Sequence, residues 1–154
     1  MSDTSSLDWL EQSRAINAPD TILDNMPYAR WLGIEVTRDD SGLVFMLPAR
    51  RDMIGNPLLP AIHGGAMGAF METAAIIDTM LALRTAKMPK IANFSIDYLR
   101  AGKCQPTYAR CELVREGKRL ANLRVHAWQA SEDRLVATAR LHCVLAELDQ
   151  TSIR

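Results

Sequence analysis

Between Asn56 and Glu72 the chain reads NPLLPAIHGGAMGAFME, and this stretch holds the residues best placed to do chemistry. A proline-interrupted loop leads into His63-Gly64-Gly65. The run that follows, Ala66 to Leu83, carries only Glu72 and Asp78 as charges. Near-continuous apolarity predicts a helix buried on most of its surface, and the two acids make it unsuitable as a membrane span. Glu72 is therefore expected to be a buried carboxylate, which must be paired, protonated or put to use. The head of such a helix offers unpaired N–H groups and partial positive charge. Together they supply a donor for a developing oxyanion and a carboxylate able to activate water or attack.

Each of these residues also has a structural reading. Gly64, without a side chain to block an approaching carbonyl, is expected to give the oxyanion donor; it and Gly65 would equally serve close helix–sheet packing. Glu72 acts on the chemical step or is held by a neighbouring backbone group or arginine. His63 is a base or holds the loop. Asn56 orients water or the carbonyl, or forms an Asx turn before Pro57. Asp78 lies about 120° round the helix from Glu72 and reads as structural. Gly64 and Glu72 are eight residues apart, a rise of about 12 Å, too far to meet at one carbon within one helix. Two copies with antiparallel central helices would bring Gly64 of one to Glu72 of the other, twice per twofold dimer.

Composition removes other classes. The chain has 154 residues, with 18 Lys plus Arg against 18 Asp plus Glu and a formal net charge of zero. Nothing in that balance points to nucleic acid or an anionic membrane surface. The length suffices for a core without staples. Three irregularly spaced cysteines, Cys104, Cys111 and Cys143, do not make a disulfide framework. The first residues, MSDTSSLDWLEQS, lack a basic segment followed by an apolar core, so no leader peptide is expected and the cytoplasm is the expected location. His126 and His142 fall in the opposite strand phase from Cys111 and Cys143, which splits possible zinc ligands between two faces. No phosphate-loop or dinucleotide fingerprint is present, and neither a metal nor a cofactor is expected.

The positioning elements follow from periodicity. Residues 1–6 read as frayed. Leu7 to Ile16 has helical spacing, Pro19 opens a second helical piece that Pro27 ends, and Tyr28 to Leu32 is a third, closed by Gly33. Ile34 to Arg38 and Leu43 to Leu47 form a hairpin about Asp39–Gly42. Pro48 to Ile62 reads as loop, Gly64 to Arg84 as the long helix, and Lys87 to Lys90 as a connection. Ala92, Phe94, Ile96 and Tyr98 then alternate with Asn93, Ser95 and Asp97. Tyr108 to Val114, Leu123 to Ala127 and Leu135 to Cys143 continue as strands, with turns at Glu116–Lys118 and Ser131–Asp133. This is an α+β pattern, one helix wrapped by an antiparallel sheet.

The order of elements, with HGG at the head of the central helix, resembles the hotdog fold, and more narrowly the phenylacetate-degradation-type acyl-CoA thioesterases. The likeness runs from about Tyr28 to Leu145. Its carriers are Asn56, His63-Gly64-Gly65, Glu72 nine residues after the histidine, and Asp97-Tyr98-Leu99-Arg100-Ala101. Three departures stand out: glutamate where many relatives have aspartate, a loop between Asn56 and His63 that is about one residue longer than the family pattern, and Ile91 where relatives often carry a hydroxyl. Asn93 or Ser95, further along the same strand face, would substitute. The resemblance implies a six-stranded sheet, an N-terminal helical extension over 1–27, and a hotdog domain over 28–150. It implies hydrolysis of an acyl-CoA thioester by a homodimer, possibly a dimer of dimers, with Gly64, Glu72, Asn56 and His63 at the chemistry and Gly65, Asn93, Ser95 and Arg100 near the substrate. Arg100 would meet the phosphates of CoA, with Arg50, Arg51 and Lys103 behind it; each is otherwise a solvent-facing charge. A non-catalytic acyl-CoA-binding protein and a 3-hydroxyacyl-thioester dehydratase are the alternatives.

Overall fold

The computed structural model describes residues 5–83 and 87–147. The expectations for the first four residues and for a domain end at residue 150 lie outside them; the long helix, expected to reach Arg84, ends at Ala82, where Leu83 turns extended. Three short helices come first: α1 (Ser5–Ala15), α2 (Pro19–Asp24) and α3 (Pro27–Leu32). Proline occupies the first helical position of both α2 and α3, where its missing N–H costs nothing. Pro27 thus opens a helix rather than closing one. Gly33 ends α3 in the left-handed conformation, φ 74°.

Strands β1 (Glu35–Asp39) and β2 (Gly42–Leu47) form the expected hairpin, with Asp39 opposite Gly42. The predicted loop that follows contains a single 3-10 turn (Arg51–Met53) and a small hairpin of β3 (Ile54–Asn56) and β4 (Ala61–Ile62). Next come α4 (Gly64–Ala82), β5 (Lys87–Tyr98), β6 (Thr107–Glu116), β7 (Leu120–Trp128) and β8 (Leu135–Glu147). The main sheet has the order β1-β2-β6-β7-β8-β5, antiparallel at every junction. Its inner face lies on α4, and α1, α2 and α3 also pack against that helix. This is the hotdog arrangement.

Alternation sets the core. Leu43, Phe45 and Leu47 of β2, Leu123, Val125 and Ala127 of β7, and Ala137, Ala139, Leu141 and Cys143 of β8 are all buried. They meet Met67, Phe70, Met71, Ala74 and Ile77 of α4 in one cluster. Arg14 of α1 donates to the carbonyls of Met80 (2.6 Å) and Lys87 (2.9 Å), so a last-turn carbonyl of α4 is satisfied and the helix is tied to β5.

Two expectations about β5 are corrected. It begins at Lys87, so Lys87–Lys90 is strand and not connection; Pro89 is tolerated because β5 is an edge strand bonded only to β8. A bulge at Ala92 also shifts the register, from Ile91 opposite Cys143 to Asn93 opposite His142. Paired residues share a face, so Ile91 points inward with Phe94, Ile96 and Tyr98. Asn93 and Ser95 point outward with His142 and Arg140. The common face expected for Ile91, Asn93 and Ser95 does not exist.

Asp78 is half-buried on α4. Desolvation pushes its carboxyl up to about 6, with the charge of Arg38 working against the rise. The folded value lies above the ordinary 3.8, so between pH 4 and 6 the folded chain holds a proton that the unfolded chain has lost, and stability falls as pH rises through that window. Asp78→Asn should therefore match wild type near pH 4 and exceed it by about 2 kcal/mol at pH 7, in line with a shift of this size discounted for partial exposure. Urea titrations at both pH values check this; a difference that does not change with pH would contradict it.

Candidate functional site

The head of α4 is built by side chains from both directions. His63 is its N-cap, and its Nδ1 accepts the Gly65 N–H at 2.9 Å. Its carbonyl accepts from the N–H groups of Ala66 (2.9 Å) and Met67 (3.1 Å). Its own N–H donates to the Met53 carbonyl at 2.8 Å. The β3–β4 hairpin presses on the same residue: a Cβ at Gly55 would lie 2.8 Å from His63 Cα, so only glycine fits beneath it. From the other side Tyr98 of β5 donates its hydroxyl to the Gly64 carbonyl at 2.7 Å. A Cβ at Gly64 would meet that hydroxyl at 3.0 Å.

Of the first N–H groups of α4, only that of Gly64 has no acceptor among the described residues. Gly64 lines a cleft of about 450 Å³ together with Ile62, Met67, Tyr98, Arg100 and Gly102. An orphan N–H facing a cleft at a helix N-terminus is an oxyanion-binding arrangement. The Gly65 N–H is already taken by His63. The His63 Nδ1 that accepts from Gly65 thus helps to hold the helix start.

Glu72 lies two turns further along α4 and is half-buried, not buried as expected. Gly65, Ala69, Glu72 and Ile76 recur at spacings of four, three and four, forming one stripe that neither the sheet nor α1–α3 fully covers. The Glu72 carboxylate makes no hydrogen bond or ion pair among the described residues. Cys143 of β8 lies near it: burial first, and the charge of Glu72 second, push that thiol up to about 11. Gly64 and Glu72 sit on one continuous helix, so they do not converge within a chain.

The remaining candidates separate. Asn56 is exposed; its Oδ1 accepts the Leu58 N–H at 3.0 Å, forming the Asx turn of the hairpin tip. Asn93 and Ser95 lie on the outward face of β5, away from the cleft. Arg100 lines the cleft and donates to the Leu135 carbonyl. Arg50 is withdrawn from it: the guanidinium pairs with Asp52, donates to the Trp31 carbonyl and lies 5.3 Å from the Trp31 ring. Arg51 is exposed on the 3-10 turn. Tyr98 was missing from the sequence-derived set, although its inward phase and its place in Asp97-Tyr98-Leu99-Arg100 mark it. Among the described residues no three His, Cys, Asp or Glu side chains gather as metal ligands, and no helix is long and apolar enough to cross a membrane.

The sequence profile of the thioesterase superfamily matches residues 59–140, which span the head of α4, Glu72 and the strands behind them. The chain belongs to the thioesterase superfamily. A Chromobacterium violaceum protein of solved structure is 38% identical to it, with a TM-score of 0.73 over 91% of this chain and 98% of that one. A phenylacetic acid degradation-related protein of Ralstonia eutropha JMP134 is 22% identical, with a TM-score of 0.72 over 89% and 99% of the two chains. A Bacillus halodurans protein solved with CoA is 18% identical, with a TM-score of 0.70 over 91% and 93%. The last two are likenesses of fold. No curated protein matches the chain.

The Tyr98–Gly64 contact can be checked directly. Tyr98→Phe should cost about 1 kcal/mol of stability, the usual worth of one hydrogen bond. In a Gly64→Ala background, where the added Cβ displaces the hydroxyl, the same change should cost almost nothing. Equal costs in both backgrounds, by urea unfolding, would show that the bond does not hold the helix start.

Proposed function

We infer that this protein hydrolyses an acyl-CoA thioester to a free acid and CoA. The observation that carries the reading is the Gly64 N–H, left without an acceptor at the positive end of α4 and facing a cleft. Membership of the thioesterase superfamily supports it, and so does the fold it shares with a protein solved with CoA. The thioester carbonyl oxygen sits on the Gly64 N–H. Glu72 of a second copy acts at the carbonyl carbon as general base or nucleophile. In the first case a water oxygen attacks while Glu72 takes its proton; the C–S bond then breaks and the proton passes to sulfur, releasing acid and thiol. In the second, the Glu72 carboxylate attacks the carbonyl carbon, the C–S bond breaks and the departing thiolate takes a proton from solvent; water then opens the mixed anhydride, giving the free acid and restoring the carboxylate. Arg100 lies at the rim toward the phosphates of CoA.

A twofold homodimer supports this chemistry physically. Strand β5 is twelve residues long and has a free edge. Such an edge is a template for pairing with another chain. The half-covered stripe of α4 and the half-buried Ile91, Phe94 and Ile96 of β5 give the second copy an apolar surface to cover. An antiparallel pair then resolves the offset of about 12 Å between Gly64 and Glu72.

Release of thiol from a panel of acyl-CoAs tests the reading. Glu72→Gln keeps size but not the carboxylate, and should lower kcat by about 10² to 10⁴ with little change in KM. Near-wild-type kcat in folded E72Q would remove Glu72 from the chemistry. Acyl-CoA binding without thiol release from any substrate would favour a binding protein instead.

A further inference from the structure

One wall of the cleft is the connection between β5 and β6, which contributes Leu99, Arg100, Ala101 and Gly102. The connection forms no helix or strand of its own, so its backbone groups must find partners elsewhere. At its start the N–H groups of Leu99 and Arg100 donate to the Val136 carbonyl, at 2.9 and 3.2 Å. Its centre is held by Gln129, the residue that follows β7. The Gln129 carboxamide oxygen accepts the Lys103 N–H at 3.0 Å, and the carboxamide nitrogen donates to the Lys103 carbonyl at 2.8 Å. That nitrogen also donates to Thr107 Oγ1 at 3.0 Å, and Gln105 Nε2 donates to the Gln129 oxygen at 3.2 Å. A carboxamide both donates and accepts, so one side chain grips the backbone of Lys103 on both sides. Among the described residues no other side chain bonds the backbone of residues 101–103.

This grip is passed on toward α4. Lys103 forms an antiparallel bridge with Ala61 of β4, and the Gly102 carbonyl accepts the Ile62 N–H at 2.7 Å. The next N–H, that of His63, goes instead to the Met53 carbonyl at 2.8 Å. The residues entering α4 are thus tied twice, to the 3-10 turn by one bond and to the connection held by Gln129 by the other. The packing at Gly102 is as close. A Cβ there would lie 3.1 Å from Met67 Cε and 3.8 Å from both Ile62 Cδ1 and Gln129 Nε2. Slack at Lys103 therefore has a short route to the peptide that carries the Gly64 N–H.

We propose that Gln129 is a positioning residue for the Gly64 donor, acting through Lys103, Gly102 and Ile62. The proposal rests on the thioesterase reading and deepens it, because it says what aims the donor. Gln129 does not line the cleft, so its effect on turnover must pass through the backbone. The bond from the Gly65 N–H to the His63 ring ties the first turn of α4 to itself. The bond from the Ile62 N–H to the Gly102 carbonyl ties that turn to the cleft wall. A donor stabilises a developing oxyanion only from the right place. Misplacement by about 1 Å can cost about 10²-fold in rate.

Gln129→Met keeps the length of the side chain and removes both halves of the grip. On the acyl-CoA that wild type turns over best, kcat should fall about tenfold to a hundredfold with little change in KM. Amide hydrogen exchange, read by NMR, needs no turnover: the Ile62 N–H should exchange faster in Q129M, relative to that of Val125 in the middle of β7. Gln129→Glu keeps an acceptor for the Lys103 N–H but cannot donate to the Lys103 carbonyl. It should fall between wild type and Q129M on both measures, and it carries the test if Q129M does not fold. Leu43→Ala truncates the core at β2 and lowers stability by another route. Its folded fraction should keep the kcat and the exchange ratio of wild type. Wild-type kcat in folded Q129M and Q129E, a rise in KM alone, a fall in kcat with Ile62 protection intact, or an equal fall in Leu43→Ala would overturn the positioning role while hydrolysis stands. A wild type that hydrolyses no acyl-CoA, with Ile62 protection still lost in Q129M, would leave the route from Gln129 standing and remove the thioesterase reading.

Discussion

The hydrogen bond from the Gly65 N–H to His63 Nδ1 determines what the head of α4 is able to do. A helix of this kind starts with several orphan N–H groups. Here those of Ala66 and Met67 turn to the His63 carbonyl, and the histidine ring takes that of Gly65. One donor, on the cleft-lining Gly64, is left without an acceptor among the described residues. Everything around the site serves to keep that turn in place. The β3–β4 hairpin holds the backbone of His63, Gly55 makes room beneath it, and Tyr98 reaches across from β5 to the Gly64 carbonyl. Glycine at position 64 follows from the closeness of the tyrosine as much as from access for a ligand.

The same helix carries two acids in different settings, and their difference is physical. Asp78 lies near Cys111 of β6, whose thiol its charge helps to raise, and loses enough water that its carboxyl titrates near 6. Glu72 lies in the stripe of α4 that the described residues leave half-covered, and it makes no ion pair among them. A carboxylate on a half-covered surface keeps part of its water, and in the proposed dimer a second copy would remove more of it.

Much of the fold was legible because its signals are local. Proline at the starts of α2 and α3, Gly33 at the end of α3, and alternation in β2, β7 and β8 each specify their element. The stretch from Pro48 to Ile62 was not, because Ile54–Asn56 and Ala61–Ile62 are too short to show a period; they pair only as Ile54 with Ile62 and Asn56 with Ala61. The bulge at Ala92 was equally hidden. Nothing in Ile91-Ala92-Asn93 announces it, and one extra residue sends Asn93 and Ser95 to the face opposite the core. At the head of α4, the places of His63 and Gly64 at the helix start, and of Glu72 two turns on, were legible from type and spacing. The contact of Tyr98 with that helix start was not, since it needs the approach of β5 to α4, a distance that sequence spacing does not carry.

The account turns on a site shared between two copies, because a single α4 holds Gly64 and Glu72 about two helical turns apart. Mixing two inactive variants measures this directly. E72Q keeps the Gly64 N–H, and Gly64→Pro keeps Glu72 while removing that donor at a helix position where proline is accepted. Each purified homodimer should be nearly inactive. After subunit exchange, a heterodimer isolated through two different affinity tags should regain about half of wild-type thiol release, one competent site of two. Folded heterodimers as inactive as their parents would contradict the shared site.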